Sequence, residues 1–170
     1  MNQALLSSGQ DLWETPQKFF DELNEEFHFT LDACATPENA KCEKYFTEED
    51  NALVQDWSGN VVFCNPPYSR KGGQDLFVKK AFEESQKPNT TVVMLLPART
   101  DTERFHRYIY RGGTQKNEIR FIKGRLNFEL NGKPLLAKNG KPSPAPFPSM
   151  IVIFRNNSDW LDRLLKGDIE

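Results

Sequence analysis

Val61-Val62-Phe63-Cys64, stopped by Pro66-Pro67, constrains this chain more than any other stretch. Four consecutive apolar residues read as a strand buried on both faces. The two prolines fix φ and remove two backbone donors, so the strand ends near Cys64. A strand covered on both faces needs helices above and below its sheet. The sequence supplies them, with a helix from about Gln74 to Ser85, a strand from Thr91 to Leu96 and a helix from about Thr102 to Tyr110. Strands from Glu118 to Ile122 and from Met150 to Phe154 follow. Upstream, Thr15-Pro16 reads as a capping hydroxyl and a first-turn proline, opening a helix with Phe19, Phe20, Leu23 and Phe27 at helical spacing. Residues 27–33 alternate apolar and polar and read as a strand. The whole pattern predicts an α/β fold, with ligands at the carboxyl ends of parallel strands. Leu126 and Phe128 read as the start of a hairpin arm. Residues 131–148, dense in proline with Gly132, Gly140 and three lysines, read as a long functional loop. Ser158 reads as the cap of a short terminal helix bearing Trp160, Leu161, Leu164 and Leu165.

At 170 residues, the chain is expected to form one domain spanning 1–170. Its longest apolar runs, Val92 to Leu96 and Met150 to Phe154, are far too short to span a membrane. The first residues lack a basic start before an apolar stretch, so no signal peptide is read and a soluble, cytoplasmic protein is expected. Three cysteines cannot form a closed disulfide set, which fits a reducing compartment. Cys34, Cys42 and Cys64 lack C-x-x-C spacing, and His28 and His106 lack H-x3-5-H spacing, so structural thiols and no metal are expected. The net charge of −2 hides a split. Residues 1–60 hold 3 Lys and Arg against 13 Asp and Glu, whereas residues 99–147 hold 11 against 4. Such a chain can present a basic face while staying near neutral overall, although solvated faces of opposite sign would give the same totals.

The chemistry sits at the end of the buried strand, in Asn65-Pro66-Pro67-Tyr68. The prolines leave carbonyl oxygens without matching donors, and the Asn65 amide oxygen adds another acceptor. Two acceptors suit an exocyclic amine that donates both hydrogens and so aims its lone pair at an electrophile. Tyr68 offers a flat face for a planar base or amide. The same letters match N-P-x-Y, a peptide signal read by partner domains. Such signals sit in exposed tails, and this one follows a buried strand.

At these residues the chain resembles amino-methyltransferases that use S-adenosylmethionine, and more closely the small phage and prophage DNA N6-adenine methyltransferase family. The resemblance runs through Trp13-Glu14-Thr15-Pro16, Leu31 to Cys42, Asp50-Asn51-Ala52-Leu53, Asp56-Trp57, Asn65 to Ser69, Leu95 to Thr102 and Gly124-Arg125-Leu126. It implies a Rossmann-like, seven-stranded class I methyltransferase sheet with the last strand antiparallel. The activity implied is methyl transfer from S-adenosylmethionine to N6 of adenine in DNA, with no membrane or metal and, in a phage or prophage setting, in the bacterial cytoplasm. Asn65 and the Pro66 carbonyl, with Pro67, would orient the amine, and Tyr68 would stack on a flipped base. Trp13, Thr15, Pro16, Asp32, Ala33, Ala35, Asp50, Asn51 and Asp56 are the cofactor candidates. Ser69, Arg70, Lys71, Arg99, Arg104, Arg107, Arg111, Lys123, Arg125, Lys133, Lys138 and Lys141 are the candidates for DNA.

The chain departs from the larger methyltransferase pattern in its first half. No glycine occurs between Gly9 and Gly59, so the usual glycine-rich cofactor loop is missing. Only about 27 residues separate Ala33 from Val61, where that fold places two strands and two crossover helices. A compact first half, with shortened or missing helices, is expected. No separate target-recognition domain is expected either, so any sequence readout falls to loops after Tyr68, around residues 102–117 and in 129–147. Two rivals stand beside the adenine reading. One is a methyltransferase of protein glutamine or an RNA amine, enzymes that share Asn-Pro-Pro-Tyr. The other is a non-enzymatic nucleic-acid-binding domain of the same fold.

Overall fold

A computed structural model describes residues 13–68, 73–110 and 117–156. Helix α1 (Gln17–Phe27) begins after Pro16, which takes the N-cap position without any side-chain cap. Thr15 is therefore not the capping hydroxyl that its position suggested; its oxygen is used elsewhere. The helix runs on to Phe27 and closes at His28 in the left-handed conformation (φ 54°), whose N–H bonds to the Asn24 carbonyl. Of residues 27–33, whose alternation suggested a strand, the helix end takes Phe27 and His28. Only Leu31–Asp32 (β1) remains extended.

The sheet forms around the apolar run. Strands β1, β2 (Val61–Cys64) and β3 (Thr91–Pro97) are parallel, pairing Leu31 with Val62 and Val62 with Val92. Helix α2 (Gly73–Glu84) makes the crossover between β2 and β3. A short, wide π-type helix, α3 (Phe105–Tyr110), precedes β4 (Glu118–Phe121). Strands β5 (Glu129–Leu130) and β6 (Lys133–Pro134) form a separate antiparallel hairpin, the arm. The last described strand, β7 (Ser149–Arg155), lies between β3 and β4 and is antiparallel to both. The order is β1-β2-β3-β7-β4.

The sheet thus has five strands among the described residues, not the seven that the resemblance implied. Beyond β1, residues 33–60 contain one 3-10 turn, Ala52–Val54, and otherwise loops. Among the described residues, one isolated parallel bridge, Asp32 to Tyr45, meets the outer edge of β1. Asp32 N–H donates to the Lys44 carbonyl (3.0 Å) and Phe46 N–H to the Asp32 carbonyl (2.9 Å). The interval is too short for two crossovers, so it runs back beside β1 as loop.

Strand alternation divides the core into two faces. Val62, Cys64, Val92, Met94, Leu96, Val152 and Phe154 pack with Val78 and Ala81 of α2 and Phe105 and Ile109 of α3. Phe63, Val93, Leu95, Ile151 and Ile153 pack with Phe20 and Leu23 of α1 and with Phe128 and Ala145 of the arm region. Buried β-branched and aromatic side chains on both faces are what a sheet between helices requires. The loop read over 131–148 is partly ordered by β6 and by a bridge between Leu136 and Pro142. The helix read from Ser158 lies outside the described residues. No helix among the described residues is long and apolar enough to cross a membrane.

Candidate active site

Because β1 and β2 are parallel neighbours, their carboxyl ends deliver Asp32 and Asn65 to the same edge. The segment before α1 crosses that edge. It is pinned by paired backbone bonds between Glu14 and Glu129 (3.1 and 2.9 Å), which also root the arm beside Asn65. The Asn65 Nδ2 amino group donates to the Trp13 carbonyl (2.6 Å) and to Thr15 Oγ1 (3.1 Å). Asn65 Oδ1 accepts from the Tyr68 hydroxyl (2.9 Å). The sequence suggested a free amide oxygen; here one of its two lone pairs is taken. Among the described residues, no second donor reaches it.

Tyr68 sits in an aromatic cluster. Its ring meets Trp13 edge-on (6.3 Å between centroids), Phe128 edge-on (6.1 Å) and Phe147 at a tilt (5.5 Å). Burial pushes the phenol well above its ordinary pKa, so it stays protonated as the donor to Asn65.

Beside Asn65 lies a cleft of about 810 Å³. Its walls include Trp13, Thr15, Asp32, Ala33, Ala35, Asn51, Asn65, Pro66 and Pro67, nine of the residues read from the sequence. Asp32 organises one wall. It is 3% exposed, its Oδ1 accepts Cys34 N–H (3.2 Å) and its Oδ2 accepts Lys41 N–H (3.0 Å). Burial outweighs these bonds and pushes its pKa up to about 6. A carboxylate thus ties both ends of residues 34–41. Asn39 extends the wall, accepting Thr36 N–H at Oδ1 (2.7 Å) and donating to Glu14 (3.4 Å).

Four of the singled-out residues are not in these walls. Pro16 begins α1, and Tyr68 belongs to the aromatic cluster. Asp50 is exposed and accepts from the Thr47 N–H (2.8 Å) and hydroxyl (2.9 Å), which hold its pKa low. Asp56 pairs with Lys87 (2.8 Å) and Ser58, and the Lys87 ammonium holds it well below the carboxylate range. Its neighbour Trp57 is fully buried, donating N–H to Glu84 (3.0 Å) and Nε1–H to the Ala52 carbonyl (3.0 Å). The Asp56-Trp57 pair is an anchor for the 33–60 segment. Sequence reading passed over Glu14, Cys34, Asn39, Phe46 and Phe77, which also line the cleft. Glu14 could have been found from its place between Trp13 and Thr15; Phe46 and Phe77 carry no comparable signal.

The basic residues divide. Arg99 pairs with Asp101 (3.1 Å), Arg104 with Asp75 (2.8 Å) and Gln74 (3.0 Å), and Arg107 with Glu103 (3.5 Å). Lys123, Arg125, Lys133, Lys138 and Lys141 are exposed, and among the described residues none of them forms an ion pair. The last three lie on or beyond the arm. Ser69, Arg70, Lys71 and Arg111 lie outside the described residues. Among the described residues, no group of three or more His, Cys, Asp or Glu is placed to hold a metal ion.

A profile of the DNA N-6-adenine-methyltransferase (Dam) family matches residues 2–163. The chain belongs to that family. Escherichia phage T1 has a DNA N-6-adenine-methyltransferase that is 43% identical over 134 residues, covering 78% of this chain and 52% of the phage protein. This chain therefore spans about half the length of that relative. The enzyme of the same name from Haemophilus phage HP1 is 34% identical over 151 residues, covering 84% of this chain and 85% of its own.

Proposed function

We propose that the chain transfers a methyl group from S-adenosylmethionine to N6 of adenine in DNA. The observation that carries this reading is the Asn65 side chain: both amino hydrogens are engaged, one acceptor lone pair is left among the described residues, and the group forms part of the cleft wall. An exocyclic amine gives one hydrogen to Asn65 Oδ1 and the other to the Pro66 carbonyl. Its lone pair is then localised and directed into the cleft. An amide cannot act as a base, so the residues orient the amine and its proton passes to water.

The cleft fits the donor. Its volume of about 810 Å³ lies within the roughly 300–1,000 Å³ of small-molecule sites. Asp32 and Glu14 supply carboxylates for a cationic ligand, while Phe46, Phe63 and Phe77 supply apolar wall. When bound there, S-adenosylmethionine supplies an electrophilic methyl group. On the other side, Tyr68 and its aromatic neighbours give a flipped base a stacking surface. The exposed cations Lys123, Arg125, Lys133, Lys138 and Lys141 would meet the phosphate backbone. The one unit from β1 to β7 would then carry donor and base sites together.

The test is to incubate DNA with methyl-labelled S-adenosylmethionine and map the modified positions. The expected outcome is label on adenine. Label only on RNA or on a protein glutamine would replace the substrate class, and failure to bind the donor at millimolar concentration would favour a non-enzymatic DNA-binding domain.

A further inference from the structure

We infer that Thr15, together with the Trp13 carbonyl, is the device that orients the Asn65 amide and makes an amide obligatory at position 65. This rests on the proposed transfer to an amine held by Asn65. Thr15 is a positioning residue in this account, not a cofactor ligand.

A backbone carbonyl only accepts, so the Asn65 atom 2.6 Å from the Trp13 oxygen must be the amino nitrogen. That nitrogen has a second hydrogen, and Thr15 Oγ1 at 3.1 Å accepts it. Thr15 is 3% exposed, so little water is at hand to replace this acceptor. With both hydrogens committed, Oδ1 is left pointing the other way, where the Tyr68 hydroxyl donates to it at 2.9 Å. Rotating the amide by half a turn would set Oδ1 against the Trp13 carbonyl and Nδ2 against the phenol. The correct face is therefore fixed before any substrate arrives, as preorganised catalysis requires.

The same geometry rejects a carboxylate. In Asn65→Asp, an ionised oxygen would sit where Nδ2 now meets the Trp13 carbonyl, acceptor against acceptor. Only the protonated acid could donate to that carbonyl. The segment is held firmly enough to enforce this, because Glu14 is bonded by its backbone to Glu129 and by its side chain to Gly132 N–H (3.1 Å) and Asn39.

The experiment measures kcat, KM for DNA and donor affinity for wild type, Thr15→Val, Thr15→Ser and Asn65→Asp, with side-chain amide exchange followed by NMR in the donor-free protein. Loss of one buried hydrogen bond, about tenfold, is expected to appear in kcat for Thr15→Val, with KM for DNA and donor affinity close to wild type. Thr15→Ser recovers most of that loss. The Asn65 amino protons exchange slowly in wild type and at least about tenfold faster in Thr15→Val. Asn65→Asp loses more activity as pH rises through its carboxyl titration, which a merely structural role for Thr15 does not predict. A Thr15→Val enzyme with wild-type kcat overturns the inference, as does a defect confined to donor affinity. Should Thr15→Val fail to fold, the pH profile of Asn65→Asp decides, and a flat profile overturns the inference. Protected amide protons in a wild type that methylates no adenine would leave the orientation standing and remove the proposed function instead.

Discussion

Two irregular stretches flank the carboxyl end of β2, and they are held in opposite ways. Residues 33–60 are fastened by buried polar bonds: Asp32 to the 34–41 turn, Trp57 to Glu84 and Ala52. The arm and its surroundings, residues 123–147, are rooted through Phe128, Ala145 and Phe147 in the apolar cluster, and their charged side chains face water. The first stretch holds six acidic residues against two basic ones, and the second five basic residues against one acidic. A small cationic donor needs a fixed, acidic, enclosed wall, whereas a polyanion needs mobile cations on a surface. Under the proposed function, the fixed stretch would serve the donor and the exposed cationic stretch the DNA.

The comparison breaks most visibly at Trp57. Its side chain is fully buried and its indole N–H is bonded, so Trp57→Ala is expected to reduce stability by about 3–5 kcal/mol. Urea unfolding measures this, and a loss below about 1 kcal/mol would mean that the 33–60 segment is held elsewhere. Next comes Asp32. Asp32→Ala should weaken S-adenosylmethionine binding by about 1–3 kcal/mol in calorimetry. Its pKa of about 6 adds a pH test, because the carboxylate is charged above that value and neutral below it. Affinity for a cationic ligand should fall as pH drops through about 6. Stability has the opposite sign, since the folded pKa lies above the ordinary 3.8. The stabilisation is complete below that ordinary value and is lost as pH rises through about 6. Donor affinity that is flat across this range would detach Asp32 from the cofactor.

On the arm, Lys133→Ala, Lys138→Ala and Lys141→Ala should each reduce the salt slope of DNA binding by about 1 if each lysine meets a phosphate. Slopes equal to wild type would place the DNA elsewhere. The smallest effect belongs to Arg104, whose guanidinium is engaged by Asp75 and Gln74 between α2 and α3. Arg104→Ala should cost under about 1 kcal/mol of stability and keep the salt slope. A slope reduced by about 1 would return it to the DNA surface.

Much of the regular architecture was legible in the sequence. The apolar runs of β2, β3 and β7 are buried on both faces, so local composition and tertiary role agree, and their predicted ends differ from the observed ones by a residue or two. Residues 27–33 misled because Phe27 and Phe29 alternate like a strand, while Phe27 completes the last turn of α1 and Phe29 packs on Phe20 and Phe63. In the site, Asn65 and Asp32 were legible because each follows a strand, and strand ends converge. Thr15 was found with the wrong partner: a hydroxyl before proline reads as a helix cap, and nothing local reports a bond to an amide 50 residues away. The charge of Arg99, Arg104 and Arg107 was visible, but their acidic partners become neighbours only in the fold.

The central claim is that Asn65 orients the acceptor amine while the cleft beside it holds the donor independently. Nucleoside mass spectrometry of digested DNA, run on wild type and Asn65→Ala alongside donor-binding calorimetry, tests it most directly. The expected result is N6-methyladenine from wild type and a rate lowered about 100-fold or more in Asn65→Ala, with donor affinity within about threefold of wild type. Methyl label on cytosine N4, or an Asn65→Ala enzyme that methylates adenine at the wild-type rate, would contradict it.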